Sequence, residues 1–179
     1  MLNKNTYYCI LILFISVSIC IQCENPKNSE IFKNFAIKDT ASISKFRISN
    51  TEGDEILITR DNSSRTWMIA GSDFKASQPS VNLLMETFYR IRVKQEVPKS
   101  AFNTVINRLS VRHKKVDIFL DGDLPYKSWY IGSPTQDHTG TYMLLELDDE
   151  KGEKPYITYK PGMYGTLDVR FFTDWKAWR

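Results

Sequence analysis

Asp137 and His138 stand side by side in "YIGSPTQDHTGTYMLLEL" (residues 130–147), with Thr135 and Thr139 on either side. A carboxylate next to an imidazole is material for general acid–base chemistry. Adjacent loop residues rarely point together, however, and no nucleophile is placed beside these two. Gly132-Ser-Pro and Thr139-Gly140 are turn punctuation between two runs rich in β-favouring residues. The expectation is the polar tip of a hairpin, with no catalytic residue assigned. A weak hydrolase or glycan-processing enzyme using Asp137 and His138 stands as the alternative.

Other chemistries find less material. His113, in "SVRHKKVD", is flanked by Arg112, Lys114 and Lys115, which would repel a metal cation and oppose protonation of the ring. The two histidines do not have HExxH spacing, and Cys9, Cys20 and Cys23 all precede Glu24. Beyond that point no disulfide, thiolate nucleophile or thiolate metal site is available, so neither a metal nor a cofactor is expected. The carboxylates of "DGD" (Asp121, Asp123) and "DDE" (Asp148 to Glu150) lie beside turn signals and do not continue into an EF-hand loop. No GxSxG, P-loop or GxGxxG occurs.

Residues 90–115 carry eight cations (Arg90, Arg92, Lys94, Lys99, Arg108, Arg112, Lys114, Lys115) against the single acid Glu96. Arg108, Arg112, Lys114 and Lys115 form a candidate anion-facing surface. The plainer reading is the solvated side of two helices, balanced by Glu146, Asp148, Asp149, Glu150 and Glu153. No aromatic stacking platform is interleaved, and nucleic acid is not expected as a partner. Trp175 and Trp178 are either a sugar-stacking surface, the mark of a carbohydrate-binding module, or the cover of an open core end.

Alternation and turns say which elements must position these groups. "FRIS", "EILITR" and "TWMIAG", separated by "TEGD" and "DNSS", give a hairpin meander. The period then changes: Val81, Leu84, Met85, Phe88 and Ile91 share one helical face, with Pro79 in the first turn and Ser77 as N-cap. A shorter helix follows "EVPKS", with Val105, Ile106 and Leu109 facing in. Strands return in "KKVDIFLDG", "KSWYIG", "TYMLLELDD" and "KPYITYK". The order predicts an α+β fold: an antiparallel sheet built from hairpins, with two consecutive helices (about 79–94 and 100–110) packed on one face. The 42% hydrophobic and 25% charged content suits such a folded domain, and a net charge of +3 demands no anionic partner.

The chain opens with Lys4 and the apolar run "YYCILILFISVSICI" (Tyr7 to Ile21), followed by "QCENPKNSE". At about fifteen apolar residues the run fits a secretory signal peptide rather than a membrane span of about twenty. We expect a signal peptide or N-terminal anchor over 1–22, a polar tether over 23–34 and a single domain over 35–179. Lipid attachment is expected at Cys23, with Cys20 as second choice. Lipoprotein signals prefer a small residue before the cysteine, where this chain has Gln22 and Ile19 respectively.

"VNLLMETFYRIRVKQEVPKSAFNTVINRL", the Gly-Ser-Pro-Thr to Gly-Thr-Tyr-Met hairpin, "PYITYKPGMYGTL" and "RFFTDWKAWR" together resemble a family of Bacteroidetes envelope proteins, catalogued as domain of unknown function 4340. The resemblance spans Phe35 to Arg179. It implies an exported or lipid-anchored protein with no assigned activity, and it carries over no catalytic residue. Members of that family continue past the point matching Trp178-Arg179, so it also implies a short or truncated member. The function expected from all this is a non-catalytic, membrane-tethered domain of the bacterial cell envelope, facing periplasm or cell surface. Its expected partners are the membrane, through the N-terminal lipid or anchor, and another envelope protein or polymer.

Overall fold

The computed structural model describes residues 30–61 and 63–179. The expected signal peptide, Cys20, Cys23 and most of the tether lie outside them. Among the described residues nine strands form one sheet: β1 (Lys45–Asn50), β2 (Glu55–Arg60), β3 (Trp67–Ile69), β4 (Arg92–Glu96), β5 (Lys114–Phe119), β6 (Lys127–Pro134), β7 (Thr141–Leu147), β8 (Glu150–Lys151) and β9 (Tyr156–Tyr159). Two helices, α1 (Gln78–Arg90) and α2 (Lys99–Val111), interrupt the strand run. The spatial order is β3-β2-β1-β5-β6-β7-β9-β4, with β8 beside β7. Every pairing is antiparallel, as the hairpin pattern required. The α+β class and the antiparallel sheet are as expected.

The helices do not share a face. Phe46, Ile48, Val116, Ile118, Trp129, Ile131, Met143 and Leu145 form one core with Val81, Leu84 and Phe88 of α1. Leu144 and Ile157, offset by one residue from that set, meet Val105 and Leu109 of α2 in a separate, smaller cluster. Because side chains alternate along a strand, Met143 and Leu144 must point to opposite faces, and each helix covers its own. "MLLE" carries apolar residues at both parities, so both faces of β7 had to be covered.

The α1 helix also stops earlier than expected. Ile91 is extended (φ −56°, ψ 140°), and Arg92–Glu96 becomes an edge strand paired with Tyr156–Tyr159. Ile91 and Val93 are β-branched, and pairing with β9 satisfies backbone groups that another helical turn would have left at the sheet edge. Ser77 is at the N-cap, but its hydroxyl accepts from Ser80 Oγ (3.2 Å) and caps no helix N–H.

Phe46 is the hub of the larger core, with ring centroids 5.5 Å from Trp67, 5.8 Å from Phe88 and 5.6 Å from Trp178. Phe32 is also buried in this core, so packing begins inside the stretch expected as tether. From there the chain runs along one end of the sheet. Phe35 packs on Trp129, Ile37 N–H donates to Phe88 O, and Ser44 N–H donates to Phe119 O as the chain enters β1.

Candidate functional site

At the other end of the sheet lies an open cavity of about 860 Å³. Its walls come from the β1–β2 turn (Asn50, Glu52), the last turn of α2 (Arg108), the extended C-cap residue Arg112 and His113 after it, the start of β5 (Lys114), the end of β6 and Asp168. Gly132 sets the spacing. A Cβ there would sit 2.8 Å from Leu109 Cδ2 and 3.2 Å from the Tyr142 carbonyl oxygen, so only glycine lets α2 press this closely onto β6.

Three of the four cations expected to face an anion meet in this groove. Arg108 and Arg112 are exposed one helical turn apart, and among the described residues no acid lies within ion-pair distance of either. Lys114 is half-buried and its Nζ donates to the Asp168 carbonyl oxygen at 3.0 Å. Burial holds the Lys114 ammonium below its ordinary pKa, with the Asp168 carboxylate partly opposing that shift. His113, which the sequence reading set aside, lines the same wall. Its Nδ1 lies 2.7 Å from the Leu109 carbonyl oxygen, and its ring packs 5.1 Å from that of Tyr130. Burial lowers its pKa, and Lys151 and Lys115 add to the effect against the Leu109 carbonyl, which favours the charged ring. Asp168 closes the site, and its buried Oδ1 has no hydrogen-bond partner.

Lys115, the fourth expected cation, is not part of the groove. Strand alternation turns it to the opposite face from Lys114, where its Nζ lies 3.2 Å from Asp117 Oδ1 and 3.5 Å from Glu146 Oε1. Asp117 is only 1% exposed and is fully engaged: Ser128 Oγ donates to it at 2.6 Å and Arg47 at 2.7 and 3.0 Å. Burial raises its pKa, but Ser128, Arg47 and Lys115 outweigh that and hold it below the ordinary value. Tyr130 donates to Glu146 at 2.6 Å, and its hydroxyl is pushed up to about 12 by burial and that carboxylate. These residues tie β1, β5, β6 and β7 together on the same sheet face that α2 packs against, where Tyr130 meets the α2 cluster.

The Asp137–His138 pair falls in the β6–β7 turn. Asp137 Oδ1 accepts from Thr135 Oγ1 (2.6 Å) and Thr139 N–H (3.2 Å), and Oδ2 accepts from Thr139 Oγ1 (2.6 Å). These bonds hold the carboxylate well below its usual range, so it is committed to shaping the turn. His138 takes the turn's positive φ of 54° and is exposed. Trp175 and Trp178 do not make a joint surface. Trp178 is wholly buried with its Nε1 donating to Phe172 O (3.1 Å), whereas Trp175 stacks on Phe74 at 6.3 Å.

Lys127 was missed altogether. Its Nζ donates to the carbonyl oxygens of Asn34 and Ala36, with no carboxylate partner among the described residues, and burial brings its pKa down to about 8. Its signal was present in the sequence: a lysine two residues before Trp129 and four before Ile131 shares their inward parity. Asp168 gave no such signal, because only the fold brings "TLDVR" to the start of β5. Among the described residues no cluster of three or more His, Cys, Asp or Glu could hold a metal ion, and no helix is long and apolar enough to cross a membrane. Comparison with protein-family models, with curated proteins and with solved structures finds no match to this chain.

Proposed function

We propose that this chain is a non-catalytic, membrane-tethered domain of the bacterial envelope that binds an acidic partner through the groove at the end of α2. The observation that carries this reading is the convergence of Arg108, Arg112 and Lys114 on one open cavity, with no acid paired to either arginine among the described residues. Unpaired guanidinium groups on a concave wall suit a carboxylate or phosphate, which each can meet with two parallel hydrogen bonds. Export and lipid attachment at Cys23 rest on the N-terminal sequence and on the resemblance to the envelope family.

Topology supports the same reading. The N-terminal segment enters at the Lys127 end of β6 and the groove lies at the Pro134 end. An eight-residue strand is about 25 Å long. An anchor at Cys23 therefore leads to the end of the domain opposite the groove, which is presented outward.

Two measurements test the proposal. Fluorescence anisotropy with labelled polyglutamate should show salt-sensitive binding that falls at least about tenfold in the Arg108→Glu/Arg112→Glu variant. Equal binding by wild type and variant, or none by either, overturns the groove as the site. Mass spectrometry of the mature protein from membranes should find acylated Cys23, and a form retaining Met1 overturns lipid attachment there.

A further inference from the structure

We infer that His113 is a fourth anion contact of the groove, one that binds as an imidazolium, so that an anion and a proton enter the site together and binding strengthens as the pH falls. The inference rests on the proposed anion-binding role of the groove and specifies how that role is regulated. His113 lines the cavity beside Arg108, Arg112 and Lys114. Its Nδ1 lies 2.7 Å from the Leu109 carbonyl oxygen. A carbonyl only accepts, so Nδ1 carries a hydrogen and the neutral ring keeps its lone pair on Nε2. Among the described residues Nε2 has no hydrogen-bond partner, and it is not one of the buried unpaired atoms, so water reaches it. A proton arriving there turns an acceptor into a charged donor on a wall that already carries cationic donors.

The surroundings decide when that proton arrives. Burial opposes it, the Leu109 carbonyl favours it, and the ammonium groups of Lys151 on β8 and Lys115 on β5 oppose it again. Both lysines also approach the Tyr130 ring on which His113 packs, Lys151 at 3.8 Å and Lys115 at 5.3 Å. Glu146 on β7 is engaged by the Tyr130 hydroxyl and by Lys115. The acids of the cavity wall are Glu52 and Asp168, and Lys114 faces the latter. Without an anion the ring is therefore held neutral at neutral pH. An anion seated among the arginines reverses the local field and favours the imidazolium, and by linkage the proton raises anion affinity by the same factor. The arginines keep their charge throughout, so they hold an anion equally well on either side of neutrality. Histidine is the side chain whose ordinary titration falls in that range. The other histidine of the chain, His138, sits in the β6–β7 turn and is not part of the cavity wall.

The test uses the full chain and labelled dextran sulfate, whose sulfates stay ionised throughout, in anisotropy titrations at successive pH values. Wild-type affinity should rise about tenfold between roughly pH 7.5 and 5.5. His138→Gln should show the same rise, and His113→Gln, whose side-chain amide can still donate to Leu109, should lose most of it. Calorimetry near pH 6 in buffers of different ionisation enthalpy should show uptake of about half a proton on binding. Should His113→Gln not fold, proton uptake by wild type and His138→Gln decides. Affinity indifferent to pH, a rise retained in His113→Gln, or binding without proton uptake overturns the assignment and leaves the groove a pH-independent anion site. Failure of dextran sulfate to bind at any pH removes the underlying proposal as well.

Discussion

At the Lys127 end of β6 a buried ammonium donates to the carbonyls of Asn34 and Ala36; at the Pro134 end the Lys114 ammonium donates to the carbonyl of Asp168. Both lysines pin a segment from outside the sheet by bonding main-chain oxygens. The consequences differ because of what surrounds them. At the Lys127 end, Phe32, Phe35 and Ile37 pack into the core beside the pinned segment, which leaves a smaller cavity of about 450 Å³ against Tyr89 and Arg92. The turns there carry Asp121, Asp123, Asp148 and Asp149. At the Pro134 end the pinned residue brings a carboxylate instead of a ring, α2 overhangs, and the cavity stays open with cations on its wall. The same fastening thus draws the N-terminal segment into the core at one end and borders a groove with cations on its wall at the other.

The largest effect that separates the ends is expected from Phe32→Ala. Phe32 packs over Gly152, whose added Cβ would lie 3.0 Å from the ring, and its loss should cost about 3 kcal/mol in denaturant unfolding. Val111→Ala, at the exposed groove end, should stay within about 0.5 kcal/mol. Equal costs would mean that the N-terminal segment is not part of the core.

A pH profile addresses the lysines. Lys127 titrates at about 8 in the folded chain against 10.5 when unfolded. Between those values the unfolded chain binds more protons, so stability rises with pH across that window. The gain approaches about 3 kcal/mol before Tyr130, whose raised pKa makes the folded state hold its proton, reverses the trend above pH 10. Lys127→Met should flatten this rise in urea melts at successive pH values, and a rise unchanged in that variant would show that another group causes it.

Gly132→Val should cost about 2 kcal/mol, since its branched side chain must displace Leu109 or the Tyr142 carbonyl. If the groove depends on the close seating of α2, polyglutamate binding weakens with it. Unchanged binding in a folded variant would separate the groove from that contact. A smaller effect than that of Gly132→Val is expected at the β7–β8 turn, where Asp148 and Asp149 both have positive φ (49° and 62°). Asp149→Gly should stabilise by about 1 kcal/mol, read as a raised denaturation midpoint, because glycine takes that conformation without strain.

Elements with a clean period were legible in the chain. The hairpins, the apolar stripe of α1 and the turn around Asp137 follow from spacing and turn residues that act over a few neighbours. The edge strand β4 was not. "RVKQE" alternates weakly, and its strand state comes from β9, some sixty residues later in the chain. The candidate site was half legible: a basic run marked Arg108, Arg112 and Lys114. It marked Lys115 equally, and strand parity turns Lys115 to the opposite face from Lys114, onto Asp117 and Glu146.

Local sequence therefore settled the α+β class, the helix and strand periods, and the density of charge around α2, because each depends on interactions within a few residues. Tertiary structure alone decided that the helices take opposite faces, that Asp168 meets Lys114, and that the basic groove lies across the sheet from the tether. Those facts depend on strand order and on the parity of distant strands. No local signal carries either, since a one-residue shift in register would turn every side chain to the other face.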